Sequence, residues 1–158
     1  MTLRPHWSRT NTLRAGRGAE RTGIGTTRVF LAWLVALVAT AGALFLGEVM
    51  GKTPCLLCWY QRIAMFPLAL ILGIGLLRAD PQAVRYALPL AVIGWLVATY
   101  HCLLFWGVVT EALVPCGAGA SCAASDLQLA GVIPIPLLSW LAFTGIAALL
   151  WGIRERKA

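Results

Sequence analysis

Four long windows of the chain consist almost entirely of apolar residues, and each is apolar around its whole circumference rather than along one stripe. Positions 29–47, 86–109 and 132–151 carry no charge, and 56–77 is interrupted only by Arg62 near its start. About 20 such residues cross a hydrocarbon core of about 30 Å, and in lipid the backbone polar groups must be satisfied within the segment itself. The pattern therefore predicts an all-α membrane protein built as a bundle of four transmembrane helices. Gly42, Pro67, Gly73, Gly75, Pro89 and Gly94 fall inside these windows, where membrane helices tolerate them, and Pro67 is expected to kink the second helix.

Composition closes off the alternative of a soluble domain. Of 158 residues, 59% are hydrophobic and 12% charged, with a mean hydropathy of +0.80, whereas soluble domains carry about 25% charged residues. The net charge of +7 could suggest nucleic acid, but its distribution argues for topology instead. Arg4, Arg9, Arg14, Arg17, Arg21 and Arg28 precede the first window, Arg78 and Arg85 separate the second from the third, and Arg154, Arg156 and Lys157 follow the fourth. Only Lys52 and Arg62 remain for the other side. Positive residues resist translocation, so both termini are expected in the cytoplasm and both longer loops outside. Residues 1–27, rich in Arg, Gly and Thr, are expected to be a disordered cytoplasmic tail preceding a transmembrane domain at 28–158. A cleaved signal peptide ending at Ala41-Gly42-Ala43 is the weaker reading, because the apolar run continues through Leu44, Phe45 and Leu46 and cleavage would leave three spans.

That topology puts four of the five cysteines at the outer face, an oxidising compartment: Cys55 and Cys58 at the first loop, Cys116 and Cys122 in the second. Closing such short loops stabilises a bundle little, so structural need explains the pairs poorly. Cys55-Leu56-Leu57-Cys58 has the spacing of a redox pair. Thr53 and Pro54 suit the cap and first turn of helix two, whose positive end favours a thiolate. Arg62 follows Cys58 by one helical turn, either to steady a thiolate or an anionic cofactor oxygen, or to snorkel to the headgroups. Trp59 stands where haem attachment requires histidine, and a zinc site made by the four cysteines stays open on spacing alone. Between Cys116 and Cys122 lies Gly-Ala-Gly-Ala-Ser, small and flexible enough to close a disulfide yet leave it accessible to an incoming thiolate.

With Pro-Cys-Leu-Leu-Cys-Trp-Tyr-Gln-Arg at 54–62, the second pair, and Ile-Pro-Ile-Pro-Leu-Leu-Ser at 133–139, the sequence resembles the disulfide bond formation proteins of the DsbB/BdbC type from Arg28 to the C-terminus. The resemblance implies a quinone-dependent disulfide oxidoreductase, multi-pass in the bacterial inner membrane. It would reoxidise an extracytoplasmic thioredoxin-fold oxidase of the DsbA/BdbD kind and pass the electrons to ubiquinone or menaquinone. By position it implies Cys116 as the cysteine attacked by the partner, Cys122 as its mate, Cys55 as the residue exchanging with that pair, and Cys58 as the thiolate at the quinone. Arg62 matches the family arginine implicated in quinone interaction. The chain departs from the best-known Gram-negative form at Gln61, which is acidic there, and in the short separation of Cys116 and Cys122. Vitamin K epoxide reductase relatives place the loop cysteines before the Cys-x-x-Cys, the reverse of the order here.

Beside the relay, His101 lies inside the third span, where an ionisable residue is a functional candidate, either at a quinone oxygen or in proton transfer, or else an interhelical hydrogen bond. Trp59 is expected to flank the quinone, with the other tryptophans packing or anchoring at interfaces. Cys102 reads as an apolar packer. Lipids and the quinone pool are the other expected partners, with no nucleic acid and no metal. The rival reading is a non-catalytic membrane protein whose outer cysteines are structural bridges or a four-cysteine zinc site.

Overall fold

A computed structural model describes the backbone of residues 7–109, 128–129 and 133–154, with side chains for 23, 25–109 and 134–154. Cys116 and Cys122 lie outside the described residues. Four helices are long and apolar enough to cross a membrane: α1 (Trp7–Leu44, extended by a π-helical turn, Phe45–Val49), α2 (Leu56–Leu77), α3 (Ala83–Phe105) and α4 (Ile135–Arg154). Two two-residue strands, β1 (Gln128–Leu129) and β2 (Ile133–Pro134), pair antiparallel ahead of α4. Each helix packs against two others, α1 on α2 and α4, and α3 on α2 and α4.

The helix limits differ from the apolar windows where local hydrogen bonding overrides hydropathy. Helix α1 begins at Trp7, well before the apolar window that opens at Val29. Once a helix is nucleated by the apolar span, each added residue gains a hydrogen bond, and Arg, Ala and Glu are good helix formers. Helix α3 begins earlier than expected because Asp80 organises the turn before it: Gln82 N donates to Asp80 Oδ1 at 2.8 Å. It ends at Phe105 because Gly107, at φ +71°, turns the chain so that Gly107 N reaches Leu104 O and Val108 N reaches Leu103 O. The end of α2 makes the same motif with Ala79 in the left-handed position, at φ 49°, while Asp80 N donates to Gly75 O. Helix α2 runs unbroken through Pro67, and α3 through Pro89.

The core is small-on-large. Phe143, Ile146 and Leu150 of α4 are fully buried against Ala32 and Ala36 of α1, Leu68 and Leu72 of α2, and Ala87 and Ala91 of α3. Gly94 lies so close to Phe143 that a Cβ there would overlap the ring, and a Cβ on Gly75 would overlap Ala83. Large side chains such as Val38, Ile63, Leu70 and Leu96 point outward, as lipid-facing positions do. Helices α3 and α4 are also tied by a reciprocal clasp. Trp95 Nε1 donates to Thr144 Oγ1 and Trp140 Nε1 to Thr99 Oγ1, both at 3.0 Å, while Thr99 and Thr144 each donate to the tryptophan carbonyl one turn earlier in their own helix. Trp95 and Trp140 are thus interhelical donors as well as packing residues.

Contacts between helix ends sort the charges. Arg28 lies against Gly152, and Gly75 against Ala83, so Arg28, Arg78, Arg85 and Arg154 share one end of the bundle. The start of α2 meets the ends of α1 and α3 at the opposite end.

Two stability changes follow. Gly94→Ala is expected to destabilise the bundle by about 1–3 kcal/mol through overpacking, and Phe143→Leu in the same chain to recover part of the loss, both read by thermal unfolding in detergent. Ala79→Gly should raise stability by roughly 0.5–1 kcal/mol in the same assay, because it removes the Cβ from a left-handed position.

Candidate functional site

The cysteine pair is built into the first turn of α2. Cys55 itself is the N-cap, extended at φ −69° and ψ 169°, and its Sγ accepts from Cys58 N at 3.4 Å. Thr53 and Pro54 therefore precede the cap instead of forming it: the sulfur takes the place a serine or threonine oxygen usually fills. This brings Cys55 Sγ to 2.8 Å from Cys58 Sγ, both residues being thiols.

The two sulfurs differ in surroundings. Cys55 is 1% exposed, enclosed with Leu57 and Leu104 and flanked by Val97, Tyr100 and Phe105, whereas Cys58 is half-buried. This apolar shell is separate from the main bundle core. Helix-start geometry alone favours a Cys55 thiolate, but the Cys55 thiol is pushed up from 9.0 to about 12. Its hydrogen bond to Cys58 is the largest cause and burial the next, outweighing the opposing pull of His101.

His101, fully buried on α3, reaches the pair from across the interface. Its Nε2 is 3.8 Å from Cys55 Sγ and its Nδ1 is 3.1 Å from Gln61 Nε2, so Gln61 fixes the ring's orientation. Gln61 is 7% exposed and lies two turns into α2, close enough to the pair to share its helix face. The sequence marked Gln61 only as a departure from a family acid; its burial on an otherwise apolar face is the signal of a structural task. Tyr100, which packs in the shell around Cys55, has a buried hydroxyl without a hydrogen-bond partner among the described residues. Nothing in its spacing singled it out.

Arg62 reaches back to α1. Nη2 donates to Ala43 O at 2.8 Å, and the guanidinium lies 5.5 Å from the ring centre of Trp59, in cation–π range. Gly47, within the π-helical turn, makes room: a Cβ there would stand 3.2 Å from Nη2. The interior bond to Ala43 O favours a placed cation over simple snorkelling. Of the seven residues predicted for the site, five are described, and Cys55, Cys58, Trp59, Arg62 and His101 gather at one end of the bundle. Cys102 is buried at the next position of α3 and behaves as a packing residue.

Comparison with known proteins gives the chain's family. The family described as disulfide bond formation protein DsbB matches residues 26–153. A probable disulfide formation protein of Metapseudomonas resinovorans is 49% identical over 138 residues, covering 87% of this chain and 96% of the relative. A probable disulfide formation protein of Deinococcus radiodurans is 43% identical over 139 residues, with 82% and 90% covered. Disulfide bond formation protein C of Bacillus subtilis is 36% identical over 130 residues, with 82% and 94% covered. No solved structure matches the chain. A four-helix apolar bundle with a Cys-x-x-Cys capping α2, and relatives of this similarity over nearly their whole length, make the chain a multi-pass membrane member of the DsbB family of disulfide-forming oxidoreductases.

Proposed function

We propose that the protein is a membrane thiol:quinone oxidoreductase that reoxidises an extracytoplasmic thioredoxin-fold oxidase. The observation that carries this reading is the Cys55–Cys58 dithiol, held at a helix start at the end of the bundle opposite Arg28, Arg78, Arg85 and Arg154. With those arginines in the cytoplasm, the pair lies at the outer membrane surface, where it borders both water and lipid.

The relay runs by thiol–disulfide exchange. A thiolate of the partner attacks Cys116 of a Cys116–Cys122 disulfide, and the partner's second thiolate resolves the mixed disulfide, leaving the partner oxidised and Cys116 and Cys122 as thiols. Those thiols reduce a Cys55–Cys58 disulfide in the same manner, Cys55 being the sulfur exchanged. His101 Nε2 and Cys55 Sγ hold a proton between them while the sulfur changes partners. Cys58, the more exposed sulfur, faces the acceptor.

The residues around Cys58 fit a quinone headgroup. Such a group presents two carbonyl acceptors on a flat apolar ring, and it supplies a two-electron, two-proton acceptor dissolved in lipid. Arg62 offers further N–H donors beside the one given to Ala43, Trp59 offers a half-exposed aromatic face, and the orphaned Tyr100 hydroxyl offers a donor in the same shell. A partner with a potential near about −120 mV needs an acceptor at least as oxidising, which a quinone provides.

In oxidation of a reduced thioredoxin-fold oxidase by the purified protein, turnover should require added quinone and disappear in Cys58→Ser. Turnover independent of quinone, or undiminished in the variant, contradicts the reading. Tyr100→Phe removes an unpartnered hydroxyl, so its stability should change by less than about 1 kcal/mol or improve. Steady-state kinetics should then show a higher KM for quinone with the partner's KM unchanged.

A further inference from the structure

Cys55 Sγ, Cys58 Sγ and a ring nitrogen of His101 all lie within 4.8 Å of one another, supplied by two helices. We propose that the reduced pair and His101 form a binding site for a thiophilic divalent cation of the zinc class, with the half-buried side of Cys58 as its open position. The relay involves no metal, and this site differs from one made of four cysteines because its third ligand is an imidazole on α3.

The donor set is the one such cations select: two thiolates and a neutral imidazole. With a tetrahedral centre and Zn–S near about 2.3 Å, neighbouring donors stand about 3.6–3.8 Å apart. Cys55 Sγ and His101 Nε2 are already at 3.8 Å. The two sulfurs, at 2.8 Å, must part by roughly 1 Å to reach that spacing, and Cys58 has room because it is not fully enclosed. Gln61 supplies the orienting contact that metal-bound histidines characteristically have: its amide nitrogen stands 3.1 Å from Nδ1, and on metal binding the amide turns over so that its oxygen accepts from Nδ1–H and the Nε2 lone pair faces the sulfurs. Charge balance favours the site as well. A divalent cation with two thiolates and a neutral imidazole is neutral overall, which suits a pocket where Cys55 is 1% and His101 0% exposed.

Binding releases the two thiol protons to solvent and transfers no electrons. A Cys55–Cys58 disulfide has no thiolates to offer, so cation and disulfide exclude one another. The cation thus locks the pair in its reduced form.

The test is titration of the full-length protein in detergent with Co(II) alone, after anaerobic reduction and removal of the reductant, for wild type and for Cys116→Ser/Cys122→Ser. Both should bind one Co(II) per chain with tetrahedral ligand-field bands and thiolate charge-transfer absorption, and the disulfide form should show neither. His101→Ala should weaken binding by more than about tenfold, and Cys58→Ser, at the less enclosed position, should diminish the charge-transfer band. Absence of tetrahedral bands in the reduced protein, their loss on removal of Cys116 and Cys122, or an undiminished band in Cys58→Ser overturns the proposal. So does unchanged affinity in a folded His101→Ala variant.

Discussion

A bundle with an apolar exterior has no water within reach of the polar side chains inside its spans, and that constraint governs where those of the described residues sit. Polar atoms inside must bond to another protein group, on their own helix or a neighbour, or be left unpaired at a cost of about 1–3 kcal/mol each. The Trp95–Thr144 and Trp140–Thr99 pairs meet the requirement by clasping α3 to α4. Gln61 and His101 meet it by joining α2 to α3, and Arg62 by joining α2 to α1. The same bonds that satisfy these groups also position the site, because the residues at the cysteine end of α2 are the ones linking it to both neighbours. Among the described residues two buried hydroxyls lack a partner, Thr40 on α1 and Tyr100, which packs in the shell around Cys55. An unpaired donor in that shell is where a bound acceptor would offset its burial.

The site's asymmetry follows from one local decision, the use of Cys55 as a helix cap. A capping sulfur is drawn into the α2–α3 interface and takes a backbone N–H, while the residue three positions on, on the first turn, stays only half-buried. Burial and the bond to Cys58 then hold the Cys55 proton more tightly than the helix start releases it. The two cysteines acquire different surroundings from their positions on one helical turn: a shielded sulfur against His101 and a less enclosed one beside Trp59 and Arg62. The π-helical turn at Phe45–Val49 serves the same end, because its Gly47 leaves the space that the Arg62 guanidinium fills.

The spans were legible because lipid burial leaves a coarse signature: uncharged windows long enough to cross, with α2 falling at 56–77 as the pattern predicts. The limits of α3 were not, since they depend on Asp80 and Gly107, whose hydrogen bonds hydropathy does not register. The start of α1 at Trp7 is not registered by hydropathy for a similar reason: composition reports whether a segment can bury a core, not whether an adjoining helix will propagate through it. Cys55, Cys58, Arg62 and His101 could be chosen from spacing and from the rarity of ionisable groups in a span. Gln61 and Tyr100 could not, because their importance comes from a partner on another helix, or from having none, and no periodicity within one helix encodes that.

The central claim is that Cys55 and Cys58 exchange electrons with a lipid-soluble acceptor without help from the second pair. It is tested most directly by a single-turnover measurement on reduced Cys116→Ser/Cys122→Ser protein in lipid nanodiscs, adding quinone without any partner and following Cys55–Cys58 disulfide formation by peptide mass spectrometry. The account predicts that the disulfide forms with one quinone reduced per chain. A pair that stays reduced in a folded variant, under quinone concentrations that oxidise the wild type, would contradict it.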